Sequence, residues 1–263
     1  MSSIEAMHLG LSTDRMTPTE TNPTKRRPRW GRRILWTLAG LVFALAIAAV
    51  IAWFAFQKIP SWYQPVRVAS GDLSRIRNSL PNTYDSLNAK IQSGETFDFT
   101  LNDQTVSEWI VARAELYPDA ESWLPRWLRD PVVVFDENRA IFGARVDYQG
   151  WRAIIGIHLT LDITNESITA RIVKVTAGAL PVPLSQLGEP IKNFLDNEDL
   201  DVETMPEPAA VVFKQLQKIG PARALTEGLH WRNVFKAPNS PHVIKIRGAS
   251  TANGELKIRI EPR

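Results

Sequence analysis

Hydrophobic and polar positions change rhythm several times along the chain. From Ile34 to Gln57, in ILWTLAGLVFALAIAAVIAWFAFQ, no residue is charged and all but Thr37, Gly40 and Gln57 are apolar. At about 1.5 Å per residue such a helix reaches about 35 Å, enough to cross a hydrocarbon layer of about 30 Å. Trp36 lies near its start, Trp53, Phe54 and Phe56 near its end, and Trp30, Trp62 and Tyr63 just outside, positions that suit the two membrane interfaces. The pattern predicts one N-terminal transmembrane helix over 34–57. A cleaved signal peptide would have a shorter apolar core and a small-x-small site, and WFAFQKIP offers no such pair.

Beyond the span, Leu73, Ile76, Leu80, Tyr84, Leu87 and Ile91 recur at spacings of three and four, which is helical periodicity. Residues 58–95 therefore read as a stalk with an amphipathic helix, kinked or divided at Pro81. A strand at 97–101 and a helix at 103–116 follow, with Asn102 or Asp103 as N-cap and Val106, Trp109, Ile110 and Leu116 on the buried face. Four alternating segments come next: PVVVFDE, RAIFGARVDY, WRAIIGIHLTLDIT and SITARIVKVTA. Short polar turns between them predict an antiparallel meander. In the third segment, alternation assigns Trp151, Ala153, Ile155, Ile157, Leu159, Leu161 and Ile163 to the core, and Arg152, Gly156, His158, Thr160 and Asp162 to a polar face. Short helices near 184–195 and 209–219 precede a hairpin turning at Ala252-Asn253-Gly254, where Asn-Gly supplies positive φ and Leu256, Ile258 and Ile260 face inward. The expected class is α+β: a transmembrane helix, then an antiparallel β-meander packed by a few short helices in a domain over 96–263.

Charge divides the chain. Residues 1–33 carry Arg15, Lys25, Arg26, Arg27, Arg29, Arg32 and Arg33 against Glu5, Asp14 and Glu20, a net of +4, while the remainder has 24 basic and 25 acidic residues. The pI of 9.2 thus belongs to the flank of the span, and no nucleic-acid partner is expected of the rest. By the positive-inside rule, the cluster from Lys25 to Arg33 places the N-terminus in the cytoplasm and everything after Lys58 outside. Residues 1–33 read as a disordered basic tail, Ser-, Thr-, Glu- and Pro-rich over 1–24. Within the span Gly40, Ala44, Ala48 and Ala52 form a stripe of small side chains, a candidate homodimer face, although the same stripe can simply face lipid.

Catalytic signatures are missing. Zero Cys excludes thiolate chemistry and cysteine metal sites, and His8, His158, His230 and His242 show no metal-ligand spacing. There is no G-x-S-x-G, S-x-x-K, P-loop or G-x-G-x-x-G, and the acidic run Asp196, Glu198, Asp199, Asp201 and Glu203 lacks the glycine of a calcium loop. His158, Asp162 and Asp147 could share a sheet face, but half-solvated alternation produces the same residues. No catalytic residue, metal or cofactor is expected. The segment DAESWLPRWLRDP, with Trp123, Leu124, Trp127 and Leu128, is the most unusual patch outside the span. Together with Trp109 it is a candidate lining for an apolar ligand or a contact with the membrane surface; plugging the open side of the core is the plainer alternative.

Three stretches, FDFTLNDQTVSEWIVARAEL, the meander through ITARIVKVTAG, and VTAGALPVPLSQLGEPIKNFL, resemble the YpmS-like bacterial proteins over residues 97–195. That resemblance implies one membrane helix carrying a small extracytoplasmic α+β domain, and no established reaction. The stalk before Phe97 and the tail from about Asp196 to Val243 are longer here. The expected function is a membrane-anchored binding or interaction module whose partners are the lipid bilayer and an apolar ligand or envelope protein. A structural subunit dimerising through its membrane helix is the second expectation, and an envelope hydrolase using His158 and Asp162 the third.

Overall fold

A computed structural model describes residues 29–116, 124, 127–148, 150–197, 207–236 and 242–263. The tail over 1–28, with Lys25, Arg26 and Arg27, lies outside the described residues, as do Trp123 and most of the acidic run. Contacts divide the chain into two compact units, Met1–Ile47 and Ala48–Arg263. The first contains, in its described part, only the beginning of helix α1 (Arg29–Gln57). Within α1 the stretch Ile34–Gln57 is long and apolar enough to cross a membrane, with mean hydropathy 2.6 and none of its most apolar window buried.

The second unit is a mixed α+β domain. Helix α2 (Leu73–Gln92) runs unbroken through Pro81, burying Ile76 and Ile91. Strand β1 (Phe97–Asn102) alternates half-buried and exposed residues, and Asn102 Oδ1 accepts the Gln104 amide at 2.9 Å, capping helix α3 (Asp103–Val111). One turn, α4 (Arg113–Leu116), follows. The predicted meander is present as β2 (Leu128–Asp136), β3 (Arg139–Tyr148), β4 (Trp151–Ile163) and β5 (Ser167–Ala177), extended on the far side of β5 by β6 (Leu180–Val182). Helices α5 (Gly188–Asn197), α6 (Glu207–Ile219) and α7 (Pro221–Glu227) come next, then β7 (Leu229–Arg232), which also pairs with β5. Strand β8 (Phe235–Lys236) and the hairpin β9 (Val243–Ala252) and β10 (Glu255–Pro262) form a second sheet with β1, in the order β1-β10-β9-β8. At the hairpin turn Asn253 and Gly254 take φ of 52° and 79°, the conformation the Asn-Gly pair predicts.

Edges and seams are closed by single polar side chains. On the β2 edge, Ser107 Oγ of α3 accepts the Val133 amide at 2.9 Å and lies 3.2 Å from the Val133 carbonyl, standing in for a missing strand. The two sheets meet at both ends of β9. Thr251 Oγ1 sits 2.6 Å from Asp136 O, and the Asn138 amide donates to Thr251 O at 3.0 Å. At the other end Asn233, 1% exposed, donates through Nδ2 to Thr164 O and Ile246 O at 2.7 Å each and accepts the Ile246 amide at 2.8 Å.

The sheet faces depart from the alternation argument. On β4 the face carrying Ile154, Gly156 and His158 is the buried one, with Ile154 at 6% exposure and His158 at 4%. On the face predicted as core, Ala153 is buried, but Ile155, Ile157 and Leu159 are half-buried and Leu161 is 48% exposed. The reason is the segment after α1. Instead of a free stalk it lies on the Ile154 face, where Tyr63, Val132 and Ile154 form a buried cluster joined by Trp62 and Val134.

Trp62 is admitted by two glycines. Gly143 of β3 and Gly156 of β4 are Cα partners, and a Cβ on them would stand 2.4 Å from Trp62 Cζ3 and 2.6 Å from Trp62 Cζ2. Gly156→Val should therefore destabilise the domain by about 1–3 kcal/mol through overpacking, whereas Gly248→Ala, where a Cβ meets nothing within 4 Å, should stay within about 0.5 kcal/mol. Urea unfolding of the full chain in detergent micelles, followed by far-ultraviolet circular dichroism, checks both. By the same measurement Asn233→Ala should cost about 2–4 kcal/mol, because buried carbonyls and an amide lose their partners.

Candidate functional site

The chain leaves α1 through Lys58-Ile59-Pro60, turns with the Tyr63 amide donating to Pro60 O at 3.1 Å, and lays Trp62 and Tyr63 across β2, β3 and β4. The end of α1 is itself held by the sheet. Its Ala55 carbonyl accepts the Lys58 amide at 3.3 Å and, more closely, the Ala179 amide from the β5–β6 turn at 2.8 Å. Gly178, at φ 60°, approaches so closely that a Cβ there would lie 2.1 Å from Phe56 O. Tyr63 Oη donates to Asp130 O at 2.9 Å, and burial, with Asp130 adding to it, pushes the phenol up to about 12, so it remains a neutral donor.

Next to this strap lies a cleft of about 530 Å³. Val134, Ile141 and His158 line it on the sheet side, Ser61 and Trp62 of the strap wall it, and Asp103, Asn253 and Gly254 also line it. Asp136, Glu137 and Arg139 of the β2–β3 turn complete the lining. Most of these charges are already engaged. Arg139 binds the Asp136 carboxylate through Nε at 2.9 Å and through a second guanidinium nitrogen. Those bonds, with the Glu137 amide, hold the Asp136 carboxyl below its usual range. Asp103 Oδ2 accepts the Phe135 amide at 3.4 Å.

His158 differs. It is buried, its ring meets Trp62 edge-on at 6.2 Å, and neither ring nitrogen has a hydrogen-bond partner. Thr176 Oγ1, on the strand pairing with β4 and opposite Gly156, is also buried without a partner. Burial pushes the His158 imidazole below its ordinary 6.5, Arg139 and Lys174 push the same way, and Asp136 opposes them. At neutral pH the ring is uncharged, with one donor and one acceptor unused. A cleft with Val134, Ile141 and the His158 ring on its sheet side, Trp62 as a wall, and Asp103, Asp136, Glu137 and Arg139 in its lining can hold a small molecule with an apolar body and a polar end. His158, Asp147 and Asp162 are not brought together as an acid-base cluster. His158 pairs with Ile141 and Lys174, while Asp147 pairs with Arg152, six residues away along β4 and roughly 20 Å distant at strand rise. Asp147 is instead the hub of ion pairs with Arg129, Arg145 and Arg152 at 3.3–3.7 Å. Asp162 is exposed and four residues from His158. No group of three or more His, Asp or Glu that could hold a metal occurs among the described residues.

The ligand-site candidates taken from the sequence are distributed elsewhere. Trp109 Nε1 donates to Ser79 Oγ at 2.8 Å, fixing α3 to α2. Leu124 and Trp127 are half-buried, the Trp127 carbonyl accepts the Asp147 amide at 2.9 Å, and Leu128 begins β2 opposite Val146. Trp123 lies outside the described residues. None of the described four lines the cleft. Gly40, Ala44, Ala48 and Ala52 are exposed on α1 at four-residue spacing. Trp62 was legible as an aromatic near the span, and the signal for its true position was the pair of glycines at the centres of two adjacent strands. No protein-family profile, curated protein or solved structure matches the chain.

His158→Phe should raise stability at pH 7.5 by about 1–2 kcal/mol, since it removes buried polar atoms that have no partners. Urea unfolding of the full chain in micelles measures it.

Proposed function

We propose that the chain is a membrane-anchored binding module of the cell envelope, with α1 spanning the bilayer, the basic flank from Lys25 to Arg33 on the cytoplasmic side and the α+β domain outside. The domain takes an apolar or amphipathic small molecule into the cleft beside Trp62. Support for the anchor comes from the charge-free stretch Ile34–Gln57 and its one-sided basic flank. The resemblance to the YpmS-like proteins favours the same arrangement. The observation that carries the binding reading is the cleft itself, with Val134, Ile141 and the unpartnered His158 on its sheet side and Trp62, in the strap after α1, as its wall.

Full-length protein extracted from its native membrane into lipid nanodiscs should retain a small molecule recoverable by solvent extraction and visible in native mass spectrometry. Trp62→Ala should reduce its occupancy about tenfold, the effect of losing one aromatic wall. Trp127→Ala should leave it unchanged. A wild-type protein that carries nothing in any preparation refutes the reading.

A further inference from the structure

The strap places an aromatic ring over a buried histidine that has no hydrogen-bonded carboxylate to pair with it if it takes up a second proton. His158 faces Trp62 from the strap, Arg139 and Ile141 from β3, and Lys174 from β5. The nearest carboxylate with a resolved influence on it is Asp136 of β2, which is committed to Arg139. Asp103 and Glu137 lie at the cleft lining, the former bonded to the Phe135 amide. Both imidazole nitrogens are shut off from solvent. An imidazolium there would be an unpaired buried cation, with the exposed Arg139 and Lys174 charges opposing it, and hydration would stabilise it. The strap is the element able to yield, because it rests on the sheet through Trp62, Tyr63 and the Tyr63–Asp130 hydrogen bond and pairs with no strand. Its seat is a slot over two glycines, with no side chain interlocked from below.

We propose that the Trp62 strap is an acid-released lid: protonation of His158 lifts Trp62 out of the Gly143–Gly156 slot, exposes His158 and Thr176, and enlarges the cleft. The inference concerns the regulation of the binding site described above and rests on that reading. The sign follows from where the proton binds. With the lid closed the imidazole is below its ordinary 6.5, so the open form holds more protons, and closure is complete above about 6.5 and weakens as pH falls. Each unit below that value shifts the balance toward the open form by up to about tenfold, until the closed-form pKa is reached.

The test uses the full chain in phosphatidylcholine nanodiscs with 5-fluorotryptophan incorporated, the Trp62 fluorine resonance being assigned by its loss in Trp62→Phe. Lowering the pH from 7.5 to 5.0 should move that resonance toward the solvent-exposed position and raise its sensitivity to a soluble paramagnetic quencher, with a midpoint below 6.5. In His158→Phe, or in His158→Gln should the former fail to fold, both changes should vanish. A wild-type resonance that does not change, or one that changes identically in the histidine variants, overturns the lid. Small-molecule retention is read on the same samples at pH 7.5. Retention without a lid transition overturns only the lid, and a transition in protein that never carries a molecule overturns only the binding reading.

Discussion

A flat indole can lie against a β-sheet only where the strands beneath it lack side chains, and the packing of the Trp62 strap on this domain depends on that constraint being met at Gly143 and Gly156. Glycine in a strand interior weakens the strand, because it contributes no packing and more conformational freedom is lost on folding. Here the weakness is offset by the ring that enters the gap. Trp62 in turn carries Tyr63 onto Val132 and Ile154, making the segment after the apolar helix part of the core. The Ala179 amide on the Ala55 carbonyl and the close approach of Gly178 to Phe56 tie the last turn of α1 to the same sheet. The helix end and the domain are thereby joined through three backbone and side-chain contacts instead of one flexible linker.

The second organising feature is polar. Two sheets that do not share a strand are joined by Thr251 at the β2–β3 turn and by Asn233 at the β4–β5 turn. Each side chain satisfies backbone groups that would otherwise be buried without partners, and such networks specify one register because a shifted strand leaves them unmade. His158 and Thr176 are the counterexample within the same domain. Their polar atoms are buried under the strap and remain unmet. Nothing in the stability of the fold calls for a histidine at that position, since an apolar ring of similar size would avoid the cost, and that is why the cleft beside it attracts a functional reading.

The legible part of the molecule is the part governed by local patterning. The apolar run 34–57 depends only on its own residues. So do the four strands of the meander, the Asn102 cap and the Asn253-Gly254 turn, where spacing or turn chemistry acts over a few positions. Sequence by itself determined these elements, the α+β class and the absence of recognisable catalytic motifs. It did not reveal which face of β4 is covered. Alternation distinguishes two faces but does not say which receives a neighbour, and Gly156 and His158, which alternation assigns to the polar face, lie under the Trp62 strap.

Only the tertiary structure decided the sites. Trp62 and Gly156 are 94 positions apart, and β1 pairs with β10 across the length of the domain. No periodicity within either partner encodes such a meeting. For the same reason the aromatic cluster around Trp127 stood out in one dimension, while the cleft draws one to three residues each from the strap, α3, three strands and two turns. A site assembled from residues that are unremarkable in their own segments becomes visible only when packing brings them together, because its chemistry lies in the burial of one imidazole and the missing side chains of two glycines.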